Sequence, residues 1–146
     1  MSVGGARSPV VRVATTADHV AVSRVLDGAL LEVDGLRTRL EDGTVLVATL
    51  EGTSDAVVGT LVVAPEGPTN LDPPADWPDA AHLRAIAVRR KRRRSGIGTA
   101  LLDAARERWS PLVADFDADV EPFYEALGAE CQETPDGRRW ALLRAR

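Results

Sequence analysis

The sequence predicts an α+β fold of the three-layer α/β kind, built around one central sheet. Three observations carry that prediction. Short apolar or alternating runs interleave with segments of helical periodicity in the order β-α-α-β-β-β-α-β-α-β-β. A basic turn containing glycines joins the strand-like run 83–88 directly to an amphipathic helix. Turn sequences at 52–55 and 134–137 each sit between two strand-like runs, as hairpins require. A chain of 146 residues suits a single domain, large enough to bury roughly two-thirds of its unfolded surface. That domain is expected over residues 9–146, after a disordered lead-in of residues 1–8.

Residues 10–14 read as the first strand. Thr15-Thr16-Ala17-Asp18 has the form of a capping box, and Val22, Val25, Leu26, Ala29 and Leu30 follow at helical spacing. A shorter helix is expected over 34–40. Asp42-Gly43 turns the chain into a strand at 44–50, and residues 52–55 turn it again into a strand at 56–64. Residues 65–81 hold five prolines and four carboxylates, which predicts an irregular loop carrying Trp77. After the strand 83–88 and its helix come a strand at 112–115, an acidic turn, and a short helix over 122–127. Pro122 suits the first turn of that helix and Gly128 ends it. Residues 129–133 and 139–143 form the closing hairpin.

Composition removes several classes of function. No apolar run approaches the ~20 residues of a membrane-spanning helix, and the first residues lack the hydrophobic core of a signal peptide, so the expected location is cytoplasmic, without a membrane partner. Cys131 is the sole cysteine, which excludes an internal disulfide, and His19 and His82 are too few and too far apart for a metal cluster; no metal is expected. Seventeen of the eighteen cationic side chains are arginine, Lys91 being the exception, and net charge is −4. The basic run 89–94 has a reading as a nucleic-acid patch, but an acidic chain repels a polyanion, so nucleic acid is not the expected partner.

The turn Arg93-Arg94-Ser95-Gly96-Ile97-Gly98-Thr99 is the most informative stretch. Gly96 and Gly98 let consecutive N–H groups face one concavity, and the helix start adds partial positive charge; the arrangement suits phosphate. A P-loop is excluded because the glycine gap and the lysine are missing. A dinucleotide fingerprint is excluded because position 101 is leucine. What remains is Arg/Gln-x-x-Gly-x-Gly after a strand, and this resembles the GNAT superfamily of acetyl-coenzyme A-dependent N-acetyltransferases.

That resemblance covers nearly the whole chain and implies a central mixed sheet of about six to seven strands flanked by about four helices. It implies acetyl-CoA as acyl donor and a primary amine as acceptor, whether a small amine, a protein N-terminus or a lysine. It implies that Arg93, Arg94, Ser95, Gly96, Ile97, Gly98 and Thr99 grip the pyrophosphate. Ile86, Ala87 and Val88 would pair their backbone with the pantetheine arm, where a main-chain N–H could also hold the oxyanion, a contribution of ~3 kcal/mol where measured. Dimers are frequent in the family, so a homodimer is an open expectation.

Pro122-Phe123-Tyr124-Glu125 resembles the family segment whose tyrosine protonates the departing thiolate, which makes Tyr124 the candidate acid. Asp117 stands where many relatives carry an asparagine. An ionised carboxylate cannot donate, so one cofactor contact differs here. An amine near pKa ~10 is only about 0.1% neutral at pH 7 and needs a proton sink. His82 is the candidate base. The segment around it is similar to arylalkylamine N-acetyltransferases, which carry a second histidine where this chain has Arg84. Asp72, Asp76, Asp79, Asp115, Asp117 and Asp119 favour a cationic acceptor, over which Trp77 could close. A competing reading is a non-catalytic module that senses coenzyme A through the same turn.

Overall fold

The computed structural model describes residues 8–51 and 56–146. The lead-in, apart from Ser8, and the turn expected at 52–55 lie outside the described residues. Seven strands and four α-helices follow in the predicted order: β1 (Pro9–Val13), α1 (His19–Gly28), α2 (Leu36–Glu41), β2 (Val45–Leu50), β3 (Gly59–Ala64), β4 (Ala81–Val88), α3 (Ile97–Arg108), β5 (Leu112–Phe116), α4 (Glu121–Ala126), β6 (Glu130–Glu133) and β7 (Arg139–Leu143). The strands form one mixed sheet in the order β1-β2-β3-β4-β5-β7-β6. Strands β4 and β5 pair in parallel. Their register is limited to Ala81↔Leu112 and His82↔Val113, although β4 runs on to Val88 and β5 to Phe116.

The chain packs as two compact units, with β3, β4 and α3 contributing residues to both. The first holds the described residues up to Val62 together with Ala85–Leu102. Its helical start is as expected: the Thr15 and Asp18 side chains form a reciprocal capping box, and Asp18 also takes two bonds from Arg12 at 2.8 and 2.9 Å. Helix α1 then buries Val22, Val25 and Leu26, and α2 buries Leu40, against Val45, Val47, Val62, Ala85 and Ala87 of the sheet. The predicted 56–64 strand begins only at Gly59, yet Val58 N–H already bonds Ala48 C=O at 2.8 Å.

Gly59 sets how closely α3 can lie on the sheet. A Cβ at that position would stand 2.9 Å from Ile97 Cγ2, 3.2 Å from Leu101 Cδ1 and 3.3 Å from Ala87 O. Ile97 is β-branched and fully buried, so its methyl has nowhere to retreat.

The second unit holds Val63–Arg84 and Asp103–Arg146. Its core is Val113, Trp140 and Leu142, against which Leu71, Trp77 and Ala80 of the proline-rich loop pack. Trp77 is thus part of the packing, and its indole N–H donates to Glu130 at 2.9 Å, rather than being free to close over an acceptor. Arg106 is buried and donates from Nε to the Arg144 carbonyl and from Nη1 to the Leu127 carbonyl, both at 2.7 Å. One guanidinium therefore satisfies the exit of β7 and the end of α4 together.

Gly59→Ala is expected to lower unfolding free energy by about 1–3 kcal/mol, read from the midpoint of urea denaturation at unchanged slope.

Candidate active site

In the first unit, the turn after β4 is bent at two left-handed positions, Arg94 (φ +65°) and Gly96 (φ +82°). Glycine reaches that region freely, but arginine does so at a cost of about 1 kcal/mol or more, and such outliers collect at binding turns. The Ser95 hydroxyl donates to the Arg92 carbonyl and fastens the bend. The first backbone bond of α3 runs from Ala100 N–H to Gly96 C=O at 3.0 Å. Among the described residues, the N–H groups of Ile97, Gly98 and Thr99 have no backbone acceptor, and they open the positive end of a twelve-residue helix.

The flanking side chains add charge. Arg93 folds back so that Nε donates to the Val88 carbonyl at 3.3 Å, and Arg89 Nε donates to the Val57 carbonyl at 3.0 Å. Arg24, Arg90, Lys91 and Arg92 line a cavity of about 650 Å³ with Val58 and Val88, and among the described residues none of these four cations has an ion-pair partner. Along β4, Ala87 is buried in the core while Ile86 and Val88 are half-buried on the opposite face.

In the second unit, His82 is buried at the start of β4 with only 4% of its surface exposed. Its Nε2 lies 2.8 Å from Asp115 Oδ1, and the other carboxylate oxygen of Asp115 accepts from Arg138 Nη1 at 3.1 Å. Asp115 was legible in the sequence only as one more acidic residue. The signal that singles it out is the parallel register: Val113 pairs with His82, and period-two alternation puts Asp115 on the same face as Val113, one step further along. The hydrogen bond from His82, outweighing the opposing effect of burial, holds the Asp115 carboxyl below its ordinary 3.8, and Arg138 contributes in the same direction. His82 Nδ1 is sealed from solvent and has no hydrogen-bond partner among the described residues.

Tyr124 is buried in α4 between Phe116 and Phe123, with ring centroids 4.7 and 5.3 Å away. Its hydroxyl makes no hydrogen bond among the described residues. Burial first, then the charges of Asp115 and Cys131, push its pKa well above the ordinary phenol value. The phenol is therefore protonated throughout the physiological range. Asp115, Asp117, Glu133, Arg138 and Arg139 line a cavity of about 460 Å³. Of the other acidic candidates, Asp79 lines a separate cavity of about 830 Å³ with Trp77 and Trp109, and Asp117 and Asp119 are exposed around the short turn before α4. Arg84 is exposed and donates to Thr69 Oγ1 at 3.0 Å. Among the described residues no group of three or more His, Cys, Asp or Glu is placed to hold a metal ion, and no helix is long and apolar enough to cross a membrane.

Residues 41–128, more than half of the chain, match the acetyltransferase (GNAT) domain family, and the chain belongs to that family. It is an acyltransferase, and its general chemistry is acetyl transfer. Solved structures agree in fold. A GNAT-family acetyltransferase from Listeria monocytogenes aligns with a TM-score of 0.76 at 15% identity, over 97% of this chain and 98% of that one. Another, from Bacillus cereus, gives 0.70 at 14% identity over 95% and 99%. Diaminobutyrate acetyltransferase from Paenibacillus lautus, solved with L-2,4-diaminobutyric acid and coenzyme A, gives 0.62 at 15% identity over 93% and 95%. No curated protein sequence matches the chain significantly.

The depressed Asp115 carboxyl fixes a pH dependence. Its contribution to stability is fully present above its ordinary 3.8 and is lost as pH falls through the lower folded value. Asp115→Asn is expected to flatten the loss of stability on acidification below about pH 4, measured by urea denaturation across a pH series. Parallel curves for the two proteins would contradict the assignment.

Proposed function

We propose that residues 9–146 work as one cytoplasmic N-acetyltransferase domain that moves an acetyl group from acetyl-CoA to a primary amine by direct attack, with no covalent enzyme intermediate. The observation that carries this reading is the turn at 93–99: two left-handed residues, and three N–H groups without backbone acceptors at a helix start. Such a concavity recognises a diphosphate through main-chain donors. Arg24, Arg90, Lys91 and Arg92 nearby, without ion-pair partners among the described residues, suit a ligand with several phosphates. Two GNAT structures similar in fold, the diaminobutyrate enzyme and N-acetylglutamate synthase from Neisseria gonorrhoeae, hold coenzyme A.

The chemistry follows from the groups present. The neutral amine nitrogen attacks the thioester carbonyl carbon, and the carbonyl oxygen becomes an oxyanion held by a main-chain N–H of Ile86, Ala87 or Val88. The C–S bond then breaks, giving amide and coenzyme A thiol, while the proton shed by the amine passes to His82. Tyr124 has a narrower part than a free acid. Its phenol, with a pKa raised above the ordinary ~10, is a weaker acid than a thiol near ~8.5, so complete transfer to a finished thiolate is uphill. It donates a hydrogen bond to sulfur as charge develops and keeps its own proton; the proton that the amine gave to His82 passes on to the coenzyme A thiolate, so that the enzyme ends in its starting protonation state.

Titration calorimetry with coenzyme A should show saturable binding, weakened by Gly96→Val, which cannot keep the left-handed backbone at φ +82°. No heat at millimolar coenzyme A would end the reading. A panel of phenethylamine, spermidine, L-2,4-diaminobutyric acid and a peptide with a free N-terminus should reveal the acceptor class. Tyr124→Phe should lower kcat by roughly ten- to a hundredfold with little change in coenzyme A affinity. A sensing module would bind coenzyme A equally well and acetylate nothing in the panel.

A further inference from the structure

The sequence singles out His82 as the base but leaves open which of its two nitrogens is available and what decides it. Nε2 stands 2.8 Å from Asp115 Oδ1. An ionised carboxylate only accepts, so Nε2 must carry the hydrogen of a neutral ring, and the lone pair then resides on Nδ1. Arg138, 3.1 Å from the second oxygen of Asp115, keeps that carboxylate ionised and turned toward the imidazole. The same arrangement of carboxylate, imidazole and free nitrogen orients the base in serine hydrolases.

We infer that Asp115 is a positioning residue that locks His82 in its Nε2–H form and thereby makes Nδ1 the nitrogen that takes the amine's proton. The inference deepens the acetyl-transfer reading and rests on it.

Two further observations point the same way. Nδ1 is enclosed and lacks a donor among the described residues, an arrangement that is unfavourable for a buried polar atom until a donor arrives. The indole Nε1–H of fully buried Trp140 is likewise without an acceptor, and its ring lies 5.9 Å from the imidazole, centroid to centroid. Both groups are unsatisfied among the described residues. Atoms balance in the transfer: the amine N–H bond breaks as the Nδ1–H bond forms. The imidazolium so formed is stabilised by Asp115.

The charged and titratable groups around the imidazole are few. On β4 itself Arg84 is directed to Thr69; β5 supplies Asp115; the β6–β7 turn supplies Arg138 through Asp115; α4 supplies Tyr124, which responds to the Asp115 charge; β7 contributes only the neutral Trp140. Asp115 is the sole anion in contact with the ring among the described residues.

Nitrogen-detected NMR of the ¹⁵N-labelled protein tests the tautomer directly, and with only two histidines, His19 and His82, the spectrum is assignable through His82→Gln. At neutral pH His82 should appear as the Nε2–H form, and Asp115→Asn should abolish that single form. With the best amine of the panel, Asp115→Asn should lower kcat at least about tenfold, while KM for acetyl-CoA changes less than about threefold. Asp115→Glu should recover part of kcat. Adding Asp115→Asn to His82→Gln should cost little more, because the two residues act as one unit.

An Nδ1–H form in the wild-type protein would overturn the inference, as would a folded Asp115→Asn variant with unchanged kcat. If the asparagine variant does not fold, the wild-type tautomer and the glutamate variant decide in its place. A wild-type protein that shows the Nε2–H form but acetylates no amine has a different meaning: the acetyl-transfer reading has failed, and the proton-accepting role fails with it while the Asp115 lock stands.

Discussion

A single carboxylate organises the second unit. Asp115, on a short strand in the middle of the sheet order, holds His82 of the neighbouring strand with one oxygen and Arg138 of the last hairpin with the other. These residues are 33 and 23 positions away in sequence, so the bonds form only once β5 is flanked on both sides. A partly buried carboxylate is unfavourable without such partners, and an enclosed imidazole is unfavourable without a fixed hydrogen. Each group makes the placement of the other tolerable. The assembled pair then differs chemically from either residue alone.

The turn at 93–99 in the first unit depends on a different kind of physics. The concavity at 93–99 is made of main chain, and the side chains serve chiefly to bend it and to surround it with positive charge. Main-chain donors do not titrate and lose no rotamer freedom on binding. Their position depends on how α3 is seated, which is why Gly59, far from any phosphate chemistry itself, matters: it permits the contact of Ile97 and Leu101 with β3 that fixes where the helix begins. The turn at 93–99 and the His82–Asp115 pair thus rest on separate foundations, the one on backbone curvature and the other on paired side chains.

Much of this was legible in the sequence. The order of strands and helices follows from periodicity and turn residues, because the amphipathic pattern of α1, the near-continuous apolar run of β2 and the glycine turns are local properties. The turn at 93–99 is equally local, since glycine, here Gly96, is the residue that most freely takes a left-handed backbone. The left-handed Arg94 was not foreseeable, because nothing in its side chain favours that conformation. Nor was the pairing of Asp115 with His82, which depends on strand register, or the burial of Trp77 against Val113 and Trp140, which depends on how the proline-rich loop folds back. Those are contacts at long sequence separation, and a pattern of residue types does not encode which partner a side chain meets.

The exposed 3-10 segment Arg90–Arg92 carries one more consequence, through the identity of its middle residue. A catalyst that handles an activated acyl thioester is itself at risk of being acylated wherever it displays nucleophilic nitrogen. Guanidinium stays protonated and inert under such conditions, whereas an ammonium group can shed its proton and react. With seventeen arginines and one lysine in the sequence, the cavity beside this segment is lined by Arg24, Arg89, Arg90 and Arg92, cations that an acyl thioester does not modify, and Lys91 is the one side-chain amine through which self-modification could change its charge.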